Sequence, residues 1–154
     1  GTLYVFNGAP EDYNYCSACS DIPFLKEKMG YADENAQALL NTYKTLEYDG
    51  KYFEMFAVIH DGIVVGNTSL YYKSEDTVSD GIEILPEYRN KGYGGEAVSA
   101  VCEKAKARGY KFVVAQIRIE NEASIRLHKN AGFLCLFETV NSRSRKVYIY
   151  GRQL

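Results

Sequence analysis

The chain has no apolar run of membrane-spanning length: stretches such as Phe112 to Ala115 and Ile63 to Val65 fall far short of the roughly 20 residues a bilayer helix needs. No membrane partner is expected. The opening Gly1-Thr2-Leu3-Tyr4-Val5-Phe6 lacks both a positive n-region and an apolar stretch of secretory length, so a cytoplasmic protein is expected. Histidine is scarce. Neither His60 nor His128 has a spaced partner that would complete a zinc site with Cys16-Ser-Ala-Cys19, so no metal is expected. Cys16, Cys19, Cys102 and Cys135 are expected as reduced thiols, because a chain this long builds its core without disulfide staples. The absence of a GxxxxGK stretch excludes a nucleoside triphosphatase loop. There is no internal repeat and no low-complexity segment.

What is present is the composition of an ordinary globular domain. The 154 residues, 46% hydrophobic and 25% charged, are expected to form a single domain over residues 1–154. The net charge of −2 conceals an asymmetry: residues 1 to 50 hold eight acids against three bases, a balance of −5, and the remainder stands at +3. A basic second part can meet phosphates and an acidic first part a cation, with solvated surface as the plain alternative. No nucleic-acid partner is expected.

Residue periodicity orders the elements. Thr2 to Phe6 reads as a strand, Pro10 opens a helix toward Ser20, and a second helix runs from Asp33 with Ala36, Leu39, Leu40 and Tyr43 on one face. Phe53 to His60 and Ile63 to Tyr72 form a hairpin through Asp61-Gly62, and Thr77 to Leu85 follows as a strand stopped by Pro86. Val98, Val101, Cys102 and Ala105 mark the buried face of a helix over Gly94 to Arg108, ended by Gly109. Lys111 to Glu120 is a strand, Asn121 caps a short helix to Asn130, and Phe133 to Thr139 and Lys146 to Tyr150 close the chain as strands. The order predicts an α/β fold with a mixed sheet and helices on both faces.

Arg89-Asn90-Lys91-Gly92-Tyr93-Gly94-Gly95 lies between a strand and a helix, where helix N-terminal amides face an anion and glycines let it approach closely. Gly92 to Ala97 fits the GxGxxA of a dinucleotide turn, but that turn follows its strand directly inside a parallel unit, whereas here Pro86 to Lys91 intervene. A plain connecting turn is the remaining alternative.

Arg89-x-x-Gly92-x-Gly94, after a strand ending in Ile84-Leu85-Pro86, resembles the acetyl-coenzyme A signature of the GNAT (Gcn5-related N-acetyltransferase) superfamily. A second signature of that family stands in order as Asn121-Glu-Ala-Ser124-Ile-Arg-Leu-His128-Lys-Asn-Ala-Gly132-Phe133. The resemblance covers residues 53 to 154, the acetyl-CoA-binding core, while residues 1 to 52, the acceptor side, match only in the order of strand and helices. It implies a mostly antiparallel sheet of about seven strands and an N-acetyltransferase using acetyl-CoA as cosubstrate.

The resemblance implies that amides of Asn90, Lys91, Gly92, Tyr93, Gly94 and Gly95 bind the pyrophosphate, with Arg89 nearby. It implies that strands Thr77 to Leu85 and Lys111 to Glu120 splay apart, and that an amide of Ile84 or Leu85 is the oxyanion donor. Asn121 would contact the cofactor, although its place as a helix N-cap also accounts for it. Ser124 and His128, at i+3 and i+7 from Asn121, share its helix face and are expected to face the same cleft. The family's general acid is a Tyr at the position of His128, and the phosphinothricin and methionine sulfoximine acetyltransferase branch, which this stretch resembles, also has a His there, so His128 is the expected acid for the leaving thiolate; a helix-surface imidazole with no role is the alternative. Gln116 stands where some members carry a base and cannot act as one. Glu83 is therefore the first candidate base, an ion pair with Arg118 its structural alternative, and Glu120 the fallback. Cys102 falls on a core-like helix face and Cys135 in a strand, against an acetyl-cysteine intermediate. The expected acceptor is a primary amine of a small molecule; the alternatives are a protein N-terminus or lysine, or a non-catalytic acyl-CoA sensor. A homodimer is an expected assembly.

Overall fold

Strand pairing builds the frame that holds the loop and the second signature. The computed structural model describes residues 3–6, 34, 47–48, 50–61 and 63–154. In chain order it contains β1 (Leu3–Phe6), β2 (Glu47–Tyr48), β3 (Lys51–His60), β4 (Ile63–Ser74), β5 (Thr77–Ile84), a 3-10 turn (Pro86–Tyr88), α1 (Tyr93–Ala107), β6 (Phe112–Arg118), α2 (Glu122–Asn130), β7 (Leu134–Val140) and β8 (Lys146–Gln153). The sheet runs β1-β3-β4-β5-β6-β8-β7, with β2 paired to β3 off this path.

Every pairing is antiparallel except β5 with β6. That pairing covers only Thr77 to Ser79 against Phe112 to Val114. Beyond it, β5 stays on β4 as far as Ile84 and β6 stays on β8 as far as Arg118. The two parallel strands therefore fork after Ser79 and Val114, as the resemblance implied.

The core explains the helix docking. Val98, Val101, Cys102 and Ala105 recur at helical spacing on α1 and pack with Val78 of β5 and with Val113, Ala115 and Ile117, which alternate along β6. All are at most 3% exposed. Leu127 and Ile125 of α2 pack against the same cluster.

Among the described residues the sheet has one strand more than expected, because the two-residue β2 is too short to show a period of two. The helices expected over 10 to 20 and from 33 lie outside the described residues, apart from Glu34, which is helical. Phe133, expected to open a strand, is instead a buried plug just before β7.

Candidate functional site

Pro86 has no N–H to continue the ladder, so the chain leaves β5 through the 3-10 turn, and Arg89 N–H closes on the Pro86 carbonyl at 3.3 Å. Asn90 (φ 63°) and Gly92 (φ 85°) then turn through the left-handed region, open to glycine and tolerated by asparagine. α1 starts at Tyr93 with Gly92 as its N-cap, and no side chain caps it. The first-turn amides, including Gly94 and Gly95, meet the positive end of the helix dipole, an arrangement that suits an anion. A Cβ added at Gly92 or Gly95 would meet nothing within 4 Å, so there is open space over these amides. Gly94 differs: its Cβ would lie 3.2 Å from Leu127 Cδ2 and 3.9 Å from Ile84 Cγ1. The loop thus sits where β5, α1 and α2 meet, at the mouth of the fork.

Arg89 folds back over this junction, donating from Nε to the Ile84 carbonyl at 2.8 Å and from Nη2 to Glu83 Oε1 at 3.1 Å. Asn90 and Lys91 are exposed. Tyr93 turns its ring onto His60, centroids 4.7 Å apart, with its hydroxyl 3.1 Å from Nδ1.

Alternation along β5 decides which backbone groups face the gap. Leu85 N–H donates to the Val65 carbonyl at 2.9 Å, so Leu85 and Val65 form a hydrogen-bonded pair. Ile84 opposite Gly66 is then a non-hydrogen-bonded pair, whose N–H and C=O point away from β4 into the fork. Of the two expected oxyanion donors, Ile84 has its amide on the open side, and Leu85 has its amide committed to β4. The approach is so close that a Cβ at Gly66 would lie 2.2 Å from the Glu83 carbonyl oxygen and 2.9 Å from Ile84 Cα.

Side chains alternate as well. Ile82 and Ile84 pack toward the core cluster, on the face of α1 and α2, and Glu83 projects from the other face. Its carboxylate is half exposed and pairs with Arg89 rather than Arg118, which lies 3.9 Å from Glu120. Directly across from Glu83 is Asn67. Asn67 is 5% exposed, and among the described residues its Nδ2 has no hydrogen-bond partner. No periodicity in the sequence marks Asn67; only the β4–β5 register reveals it.

On α2, Asn121 is the N-cap, its Oδ1 accepting the Ser124 N–H at 3.1 Å. His128 is 1% exposed. Its Nε2 lies 2.8 Å from Asp80 Oδ2 and its Nδ1 lies 2.8 Å from the Ser124 carbonyl, with Ser124 Oγ at 3.3 Å and the Phe133 ring edge-on at 4.9 Å. A carboxylate and a carbonyl only accept, so both ring nitrogens donate, as in the imidazolium. Burial pushes its pKa down, but the hydrogen bond and charge of Asp80, helped by the Ser124 carbonyl, outweigh it and hold it above 6.5.

This corrects the expectation of a cleft-facing imidazole. Asn121, Ser124 and His128 do share a face, but by the second turn that face has rolled onto β5, where Asp80 draws the ring in. Asp80 is the first residue of β5 past its last pair with β6, and no local pattern marks it, because its partner stands 48 residues away.

Burial raises the Cys102 thiol to about 11, so it is no thiolate near neutral pH. Glu120 and Gln116 are exposed near the end of β6. A separate hollow of about 340 Å³ along α2, lined by Glu122, Ile125, Arg126, Lys129 and Asn130, shares no residue with the loop. Among the described residues no three His, Cys, Asp or Glu cluster as metal ligands, and no helix is long and apolar enough to cross a membrane.

Known proteins are similar to this chain in sequence and in fold. An uncharacterised N-acetyltransferase of Bacillus subtilis is 31% identical over 124 residues, covering 78% of this chain and 69% of that protein. The L-methionine sulfoximine/L-methionine sulfone acetyltransferase of Salmonella typhimurium is 33% identical over 100 residues, 61% of this chain; the chain spans 56% of that enzyme's length. The fold superposes on the structure of an acetyltransferase of Salmonella typhimurium, solved with acetyl-CoA, at a TM-score of 0.72 and 22% identity, over 100% of this chain and 95% of that one. The profile of the acetyltransferase (GNAT) domain matches residues 6–134, from β1 through the forked strands and the Arg89 to Gly95 loop into β7. With both signatures on the elements that make the fork, the chain belongs to the GNAT acetyltransferase family.

Proposed function

We propose that the protein transfers an acetyl group from acetyl-CoA to the primary amine of a small molecule, by direct attack of the amine on the thioester. One observation carries this reading: the uncapped terminus of α1 and the Glu83 carboxylate meet the fork from opposite faces of the sheet. Donor and acceptor then have separate entrances and one meeting point, beside the Ile84 amide.

The residues present fit the cosubstrate. The amides from Asn90 to Gly95 would hold the pyrophosphate, with Arg89 and Lys91 supplying positive charge. Asn121 and Ser124 would line the α2 side. Acetyl-CoA supplies the activated acyl group as a thioester. The Ile84 N–H donates to the carbonyl oxygen as charge develops there; loss of one such donor typically costs about 2.7–4 kcal/mol of barrier. Glu83 takes the proton that the ammonium must lose, directly or through one water. His128 holds α2 to β5 through Asp80 and is assigned no proton transfer, because neither ring nitrogen is free.

The test is a screen of acetyl-CoA turnover over amino acids, polyamines, aminoglycosides and peptides, read by release of free thiol. Small amines are expected to exceed peptides; peptides exceeding every small amine would reassign the protein as a protein acetyltransferase. Coenzyme A binding without turnover on any amine would leave a sensor. The free thiols Cys102 and Cys135 support a reducing compartment, the cytoplasm. A homodimer is proposed across β7, which exposes Leu134, Leu136, Phe137 and Val140. Light scattering at the mass of one chain would exclude it.

A further inference from the structure

We propose that Asn67 donates a hydrogen bond to an oxygen of the acceptor, selecting amines that carry a carboxylate beside the amino group, as a free α-amino acid does. The inference rests on the acetyl-transfer reading above and adds what the acceptor must look like.

Other buried polar side chains of the sheet and its helices have partners: Glu54 holds Arg108, Thr68 donates to the Gly81 carbonyl, and His128 holds Asp80. Among the described residues Asn67 Nδ2 stands apart, buried and without an acceptor. Folded proteins leave few such groups unpaired, and a ligand oxygen is one partner that accounts for an exception.

The position of the orphaned donor matters more than its existence. Asn67 and Glu83 are register partners on adjacent antiparallel strands, so their side chains leave the same face of the sheet with Cβ atoms about 5 Å apart. On the other flank Asn67 meets Ala57, a methyl group that offers no acceptor. A carboxylate that can accept a proton and an amide nitrogen, Asn67 Nδ2, that can only donate therefore stand side by side at the acceptor entrance. An α-amino acid presents the complementary pair on one carbon: an ammonium to lose its proton to Glu83 and an oxygen to accept from Nδ2. A polyamine offers no oxygen and would leave the buried donor orphaned. Selection by a buried donor is steep, because the wrong substrate leaves it unpaired.

The test uses matched acceptors that differ by the carboxylate alone, L-leucine with isoamylamine and L-phenylalanine with phenethylamine. The wild type is expected to favour the amino acid of each pair in kcat/KM. In Asn67→Leu that preference, read as the ratio of the two kcat/KM values within each pair, should fall at least tenfold, with the KM for acetyl-CoA within about twofold of wild type. Asn67→Asp should lower it further, by like-charge repulsion of the carboxylate. Because Leu removes an orphaned donor, Asn67→Leu should melt no lower than wild type. A preference that survives in Asn67→Leu, or a wild type that favours the plain amine, overturns the proposal; the second arm needs no variant to fold. No thiol release from the wild type with any amine would instead bring down the transfer reading itself, a distinguishable outcome.

Discussion

Replacing Asp80 with Ala would strand a buried histidine at the root of the fork. The His128 and Asp80 side chains are 2% and 3% exposed, so water cannot take the place of the lost carboxylate. Removing one member of a buried ion pair costs about 3–5 kcal/mol, most of it the penalty of the partner left behind. At about 2–4 °C per kcal/mol for a domain near this size, Tm should fall by about 6–20 °C. Asp80→Asn keeps an acceptor but not the charge and should lose about 1.5–3 kcal/mol.

The pH dependence has a definite sign. The folded pKa of His128 lies above its unfolded value of 6.5, so the stabilisation from holding the imidazolium is fully present below about pH 6.5. It is lost as the pH rises through the raised folded value. Denaturant melts of wild type and Asp80→Ala from pH 5.5 to 9 should show a stability gap that is widest at the acid end and narrows toward the alkaline end. A Tm difference under about 2 °C at pH 6, or a gap that widens with pH, would refute the assignment of the pair.

Gly66→Ala places a Cβ 2.2 Å from a backbone oxygen and must push β5 aside by close to 1 Å, which should cost about 1–3 kcal/mol and, by misplacing the Ile84 amide, about a hundredfold in kcat; thermal melts and turnover check both. Gly95→Glu has open space for its side chain, so calorimetry should show coenzyme A binding lost to like charge while Tm stays within about 2 °C, the typical scale of a surface change. Glu83→Gln should lower kcat/KM for the amine about 10²- to 10⁴-fold with coenzyme A affinity kept. The loss should be greatest at low pH, where the amine proton is hardest to remove; a uniform pH profile at wild-type rate would remove Glu83 from the chemistry.

The features legible in the sequence are those that depend on near neighbours. The β3–β4 hairpin, the 98-101-102-105 stripe of α1 and the Asn121 cap are local patterns, and each stands where its spacing put it. The Arg89 to Gly95 loop was legible for the same reason: Pro86 and the glycines set the backbone whatever packs nearby. The illegible features join distant segments. His128 and Asp80 meet only after α2 docks on β5, so helix periodicity predicted the right face and gave no sign of what covers it. Whether Ile84 or Leu85 keeps a free amide depends on the β4–β5 register, which alternates residue by residue and is fixed by the close approach at Gly66. Asn67 acquires meaning only through the same pairing.

In the proposed reaction donor and acceptor occupy opposite faces of the fork together and react directly. Initial rates of thiol release at crossed concentrations of acetyl-CoA and amine test it most directly. Intersecting double-reciprocal lines, with no acetyl group on the protein by mass spectrometry after incubation with acetyl-CoA alone, are the predicted result. Parallel lines together with an acetylated protein would contradict it.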